Sequence, residues 1–330
     1  MTSERFLVTG AFGCIGAWAV KRLRDENIPV WTYDLPGDPH RLRLIMSDEA
    51  LAQVNFISGD ITDGTAFERA VVDNAITHII HLAALQVPFV RADAVQGARV
   101  NVVGSTIVLE AAKRHAAQVQ GLTYASSAGV YGPTEMYPSG PLAHDAPHAP
   151  TNLYGVFKQA NEGTARIYWQ EYGLHSIGLR PYVVYGPGRD QGMTSTPTKA
   201  MLAAAIGRAY NISFGGTVVY QYADDAAAVF IRAARAASTC EGAPVFNMGG
   251  STVSMTDIVA AIDAAAPEQA GQITFTPTAL ALPAAIDDRA LEAALDAVHW
   301  IPIGDGVRET VERLRTAAQT GRLNVEKAIA

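Results

Sequence analysis

Short apolar runs alternate with amphipathic stretches along the first half of this chain. The run from Arg5 to Thr9 ends in glycines, and Ala17 to Glu26 repeats its apolar positions with helical spacing, so the chain opens as strand, turn and helix. Further apolar runs at Val30 to Tyr33, Val54 to Ser58, Ile76 to Leu82, Gly121 to Ser126 and His175 to Arg180 interleave with helical stretches near Ala66 to Val72, Val95 to His115 and Tyr154 to Tyr172. Such alternation predicts an α/β fold, a doubly wound parallel sheet with helices on both faces. Beyond Arg180 the pattern loosens into glycine and proline punctuation, in YGPGRDQG, FGGT and PTALALP, which predicts a smaller and irregular α/β region on the C-terminal side. Gln221 to Ala236 reads as a strand end feeding one more helix, so the boundary is crossed more than once. The expected division is 1–180 with 218–248 returning to it, against 181–217 and 249–330.

Composition narrows the function. The 330 residues suffice for a substantial core, and 32 acidic against 25 basic residues, with no lysine or arginine run, give no electrostatic footprint for nucleic acid. A small molecule is the expected partner. Cys14 and Cys240 are the two cysteines, so neither a disulfide framework nor metal-ligand spacing is present, and no metal is expected. The chain runs directly into a strand without signal-peptide character, and no apolar run is long enough to span a membrane. These features predict a cytoplasmic protein with no membrane partner.

Gly10, Gly13 and Gly16 form GAFGCIG between the first strand and the first helix. The first glycine permits the turn, the second admits a pyrophosphate against the backbone, and the third lets helix and strand pack closely, while the helix N-terminus attracts the phosphates. This is the expected pattern of a Rossmann dinucleotide loop, with Phe12, Cys14 and Ile15 lining it. Asp34, at the end of the second strand, is placed to accept hydrogen bonds from an adenosine ribose and to repel a ribose phosphate. NAD is therefore expected rather than NADP, with His40, Arg41 and Arg43 as the nearby cations that argue the other way. Asp60, in SGDITD, has two readings, an adenine contact or a cap on the following helix.

Tyr154 and Lys158 lie four apart in YGVFK and share one helix face. A phenol titrates near pH 10, so an adjacent ammonium is needed to make it a workable acid/base. Ser126 and Ser127 close the strand in GLTYASSAGVYG, at the carboxyl edge of the sheet where such folds place ligands. Ser127 is the hydroxyl expected to donate to the substrate oxygen, with Ser126 a second candidate.

These residues resemble the extended short-chain dehydrogenase/reductase family, the NAD-dependent epimerase/dehydratase group. The resemblance runs from Phe6 to Ala236 through TGAFGCIG, Asp34, GDITD, HLAA, NVVGS, YASSAGVYG, YGVFK, LRPYVVYGPG and YADD. It implies a pyrophosphate loop at Gly10, Phe12, Gly13, Cys14, Ile15 and Gly16, and a ribose ligand at Asp34. It implies adenine contacts at Asp60 and Ile61, and a strand end beside the cofactor at Leu82, Ala83 and Ala84. Asn101, in NVVGS, joins the cofactor set, as do Pro181, Val183 and Val184 at the nicotinamide. Tyr154 becomes the acid/base, Lys158 its partner and a cofactor contact, and Ser127 the orienting hydroxyl. The 1–180 unit is then the NAD-binding domain and the remainder binds substrate. The family also implies a homodimer through a four-helix interface built from Val95 to His115 and Tyr154 to Tyr172.

Departures from the family pattern matter equally. Its nucleotide-sugar enzymes carry an asparagine where this chain has Val183, and an arginine in the neighbourhood held here by Val218, Val219 and Tyr220. An apolar strand does not neutralise a diphosphate. Arg189 and Lys199 are the cations left to supply charge from another direction. Its dehydratases place an Asp-Glu pair after the active hydroxyl, where Ala128 and Gly129 stand here. The expected reaction is hydride transfer between NAD and a secondary alcohol of a free sugar, sugar acid or similar polyhydroxylated molecule. An epimerase that retains its NAD is the alternative, and a NAD-sensing protein without turnover is the third reading. Gln86, Ser126, Tyr182, Arg189, Thr194 and Ser195 are candidate substrate contacts, with Asp190 and Gln191 in the same loop and Phe89 and Tyr131 near the same pocket. His78 and His81 read as satisfied core histidines, and His144, Asp145 and His148 as loop residues.

Overall fold

The computed structural model describes residues 3–296 and 298–329. Its strands are β1 (Phe6–Thr9), β2 (Val30–Asp34), β3 (Asn55–Ser58), β4 (His78–His81), β5 (Gly121–Ala125), β6 (Ile177–Arg180), β7 (Val183–Tyr185), β8 (Tyr210–Ile212), β9 (Thr217–Tyr222), β10 (Val245–Asn247), β11 (Ser251–Ser254) and β12 (Ile273–Phe275). Seven of them form one sheet in the order β10-β6-β5-β4-β1-β2-β3, with every neighbouring pair parallel. The order reverses between β1 and β4, the point at which such a sheet opens a crevice at its carboxyl edge.

Alternation along each strand builds two cores. Phe6 and Val8 face one layer with Trp18, Val20 and Phe230, and Leu7 faces the other with Phe67, Val71, Val108 and Leu122. The first layer is made by helices Cys14–Asp25 and Ala223–Ala236, and the second by Gly64–Asp73, Gly104–Arg114 and Leu153–Tyr172. Because both faces are covered, the central strands are buried end to end, and each large side chain so buried contributes roughly 1.5–3 kcal/mol.

Two expectations change in detail. The stretch from Val95 to His115 is helical as expected but not regular, because Ala94–Ala98 runs into Gly104–Arg114 through a wider π-helical turn at Arg99–Val103. A π turn accommodates an extra residue, and here it carries the buried Asn101. The return to the main sheet also begins later than 218, since β9 bonds to β7 and β11 in a separate three-stranded sheet. Helix Ala223–Ala236 packs on helix Cys14–Asp25, and β10 then joins β6. The remaining chain adds a two-stranded β12-β8 sheet and helices Thr196–Ala205, Met255–Ala265 and Ile303–Gln319.

Candidate active site

The glycine loop has the close packing that its spacing predicts. Gly10 takes a left-handed φ of +65°, and a Cβ there would lie 2.7 Å from the Ala83 nitrogen. A Cβ on Gly16 would lie 2.4 Å from the Gly10 oxygen, so the first helix turn sits directly on the loop. Leu82 and Ala83 are held opposite by Thr9, whose hydroxyl accepts both of their N–H groups at 3.2 Å. Helix Cys14–Asp25 starts at Gly13 with no side-chain cap and no acid in its first turn, which leaves its N-terminal dipole turned toward an anion. These features fit a dinucleotide pyrophosphate.

Asp34 ends β2 with one carboxylate oxygen accepting the Phe12 N–H at 2.8 Å and the other accepting its neighbour Leu35 N–H at 2.9 Å. Burial raises its pKa, partly offset by those two N–H groups and by Arg41. Cys14 is buried and its thiol is pushed up to about 11 by burial, so it lines the loop as a neutral group. Ile15 is half-buried beside it. Asp60 does not cap the next helix. Asp63 does, accepting the Ala66 N–H, while Asp60 Oδ1 closes a local turn on the N–H and hydroxyl of Thr62. The Ile61 side chain points into the core against Gly104, leaving its backbone as the part near the crevice.

Asn101 is also reassigned. It is fully buried, accepting the Leu85 N–H at 2.7 Å and donating to the Leu85 carbonyl at 2.9 Å. It therefore positions the segment after β4 instead of reaching a cofactor itself. Ala84 lies in that segment. His81 is satisfied between Thr9 and Ser105, and burial holds its pKa at about 3, so it stays neutral.

Helix Leu153–Tyr172 is capped by Asn152, whose side chain accepts the Gly155 N–H at 3.1 Å. Gly155 is the reason its first turn reaches Ser127, because a Cβ there would lie 2.1 Å from the Gly129 oxygen. Ser127 Oγ accepts the Gly129 N–H at 3.0 Å and stands beside Tyr154. Burial raises the Tyr154 pKa, with the Ser127 hydroxyl and the Arg189 charge pulling it down. Lys158 is buried one turn on, with Nζ 5.6 Å from the Tyr154 ring centroid, and it donates to the Ala125 carbonyl at 2.6 Å. Burial lowers its pKa to about 8, against the opposing pull of Glu162. Lys158 is the cation that the sequence sets beside the phenol, and Arg189, in the loop after β7, adds a second positive charge that pulls the Tyr154 pKa down.

Ser126 is not a substrate contact. It is buried and donates to Glu162, which Arg180 holds from the other side. Tyr182 is likewise removed, since its buried hydroxyl donates to the Pro283 carbonyl. Val183 and Val184 point into the core, and Pro181 accepts the Ala128 N–H at 3.0 Å, which sets that segment beside Ser127. Tyr131 is buried against Asn247, and Phe89 is exposed. His144 offers its carbonyl to Arg180, and the His148 ring meets the same guanidinium at 3.0 Å.

In the loop after β7, Ser195 is buried and donates to Gly192 at 2.8 Å, so its expected role in substrate binding becomes one of loop closure. Thr194 accepts from Arg189 at 3.0 Å. Arg189 Nε and Gln86 Oε1 are buried with no hydrogen-bond partner among the described residues, and a Cβ on Gly192 would press on Gln86. Asp190 turns back toward His40 and Arg41. Sequence reasoning passes over Thr9, Gly155, Glu162 and Arg180; for Gly155 the signal was its place directly after Tyr154.

A doubly wound sheet with a glycine loop at its switch point, and a tyrosine, lysine and serine at its carboxyl edge, defines a dinucleotide-dependent oxidoreductase. The model of the NAD dependent epimerase/dehydratase family matches residues 6–249. The chain belongs to that family and is an NAD-dependent enzyme of the extended short-chain dehydrogenase/reductase type. Family membership removes the reading of a sensor without turnover.

The chain is 32% identical over 330 residues to a UDP-glucose 4-epimerase of Mycolicibacterium smegmatis, covering 96% of this chain and 100% of that one. It is 32% identical over 223 residues to a UDP-glucose 4-epimerase of Azospirillum brasilense, covering 65% of this chain but 61% of the relative, about three fifths of its length. The structure of the Thermus thermophilus UDP-glucose 4-epimerase in complex with NAD superposes with a TM-score of 0.78 at 26% identity, covering 95% of this chain and 100% of that one. L-threonine dehydrogenase of Clostridium difficile shares the fold, with a TM-score of 0.83 at 20% identity over 97% of this chain and 99% of that one. Among the described residues no helix is long and apolar enough to cross a membrane.

Proposed function

We propose that this enzyme transfers a hydride between NAD and a secondary alcohol of a small polyhydroxylated molecule, a free sugar or sugar acid, and does not act on a nucleotide sugar. The observation that carries this reading is the pairing of Val183 with Tyr220 across β7 and β9. These are the neighbourhoods in which the family's nucleotide-sugar enzymes place an asparagine and an arginine, and here both residues are buried in an apolar sheet that also contains Val218 and Val219. Arg189 adds to the case. A half-buried arginine whose buried Nε has no partner among the described residues, and whose charge acts on Tyr154, suits the carboxylate of a sugar acid.

NAD, when bound, supplies the hydride acceptor or donor. Tyr154 Oη takes the hydroxyl proton in the oxidising direction and returns it in the reducing one. Ser127 Oγ donates to the substrate oxygen as its charge changes. Lys158 stands beside the phenol and would contact the cofactor, and Asn101 holds Leu85 in the segment whose Leu82 and Ala83 pack on Gly10. Asp34 would accept from the adenosine ribose.

The second reading, epimerisation on retained NAD, draws on the relatives named UDP-glucose 4-epimerase. A homodimer is part of the proposal as well. Val95, Val103, Val156 and Ile167 are exposed on the two helical stretches expected to pair, the apolar covering a four-helix interface needs. The free thiols Cys14 and Cys240 suit a reducing cytoplasm.

The test is purified enzyme with NAD and a panel of sugars, sugar acids, polyols, UDP-glucose and UDP-glucuronate, following NADH absorbance and product stereochemistry. Stoichiometric NADH from a free sugar or sugar acid is the expected result. A changed stereocentre without net NADH selects the epimerase reading, and turnover confined to the UDP-sugars overturns the substrate class.

A further inference from the structure

The loop after β7 reaches back to the short helix His40–Ile45 that follows β2. Asp190 Oδ1 accepts from Arg41 Nε at 2.9 Å and also from its Nη2, and Oδ2 lies 3.1 Å from His40 Nε2. The third edge of the same guanidinium is engaged too, since Nη1 donates to the Phe12 carbonyl at 2.6 Å. Phe12 in turn gives its N–H to Asp34. Arg41, in the short helix His40–Ile45 that follows β2, is therefore linked to Asp34 through the single residue Phe12, in the neighbourhood where an arginine in this fold receives a 2′-phosphate. It is buried, with all three nitrogens committed. Arg43, the remaining cation of that segment, pairs with Asp38 at the surface.

We propose that Asp190 is a positioning residue that fixes the preference for NAD over NADP, by occupying Arg41 and His40 so that neither is available to a ribose 2′-phosphate. Asp34 repels that phosphate directly; Asp190 acts through its two partners, Arg41 and His40. The preference thus rests on two carboxylates that lie far apart in sequence. An Arg–carboxylate pair with two prongs and little solvent competes well with a phosphate for the same fork. Removing the Asp190 charge releases the guanidinium into a position that a phosphate reaches, and releases the His40 ring with it.

The test measures binding, by quenching of tryptophan fluorescence during titration with NAD and with NADP. Asp190→Asn is expected to tighten NADP binding by about tenfold, the scale of one freed charge-assisted contact, while NAD binding changes little. Adding Arg41→Ala to Asp190→Asn is expected to erase that gain. Arg41→Ala in the otherwise unaltered protein is expected to leave the ratio of NADP to NAD affinity where it was, because the arginine is already occupied, even if losing its bond to the Phe12 carbonyl weakens both cofactors alike; this arm stands even if the Asp190 variant folds poorly. An unchanged ratio of NADP to NAD affinity in Asp190→Asn, equal weakening of both, or a gain that survives Arg41→Ala overturns the proposal. So does a fall in the ratio of NADP to NAD affinity in the single Arg41→Ala protein.

Discussion

Arg180, the last residue of β6, grips Glu162 with two hydrogen bonds, Nε to Oε1 at 2.8 Å and Nη2 to Oε2 at 2.7 Å, one helical turn beyond Lys158. Both side chains are buried, and Ser126 and Tyr131 complete the network. Tyr154, Lys158 and Glu162 thus form one stripe of a single helix, and Arg180 clamps the far end of that stripe to the sheet. Glu162→Gln leaves a buried guanidinium without its counter-charge, which is expected to cost about 3–5 kcal/mol in urea unfolding. Replacing both Glu162 and Arg180 by methionine is expected to recover most of that loss, and a double variant as unstable as the single one speaks against the account.

Tyr154→Phe keeps the ring and removes the hydroxyl. Turnover is expected to fall by roughly 10²–10⁴-fold, the usual share of a positioned general acid/base, while NAD titration stays within a few-fold of the parent. Near-normal turnover in this variant contradicts the assignment.

Lys158 has a folded pKa of about 8 against 10.5 for the free side chain, and burial is the cause. Between those values the unfolded chain holds more protons, so stability rises with pH; below pH 8 the cost of the buried charge is felt in full. Across that window the parent is expected to gain about 3 kcal/mol relative to Lys158→Met. Urea midpoints for the two proteins, measured from neutral pH upward, check this. Parallel stability curves mean that folding does not lower the Lys158 pKa.

Gly16→Ala places a Cβ 2.4 Å from the Gly10 oxygen, which is backbone and cannot step aside cheaply. The helix start must shift from the loop. Overpacking of this kind costs about 1–3 kcal/mol, and NAD affinity is expected to fall by at least tenfold, a change of about 1.4 kcal/mol. Calorimetric binding and a thermal melt separate the two effects.

Much of the doubly wound sheet was legible because its signals are local. Strands buried on both faces read as short apolar runs, helices repeat at their own period, and the glycines of GAFGCIG stand between the two. The same locality explains the errors of detail. The π turn at Arg99–Val103 has no period of its own, and the side chain that anchors it, Asn101, finds its partner Leu85 sixteen residues away. Ser126 and Ser127 are neighbours in sequence with the same chemistry, and only the approach of Glu162 to one and Gly129 to the other tells them apart.

The sequence by itself determined the fold class, the close-packed glycine loop with Asp34 at the end of the next strand, and the helical register that puts Tyr154 and Lys158 on one face, because each depends on spacing within a single element or turn. Only the tertiary structure decided which cations serve which groups. Lys158 turns to the Ala125 carbonyl, Arg189 donates to Thr194, and Arg41 is held by Asp190. The physical reason is that a long charged side chain takes its role from the nearest counter-charge or open polar atom in space, and those partners come from strands and loops that meet only when the sheet closes.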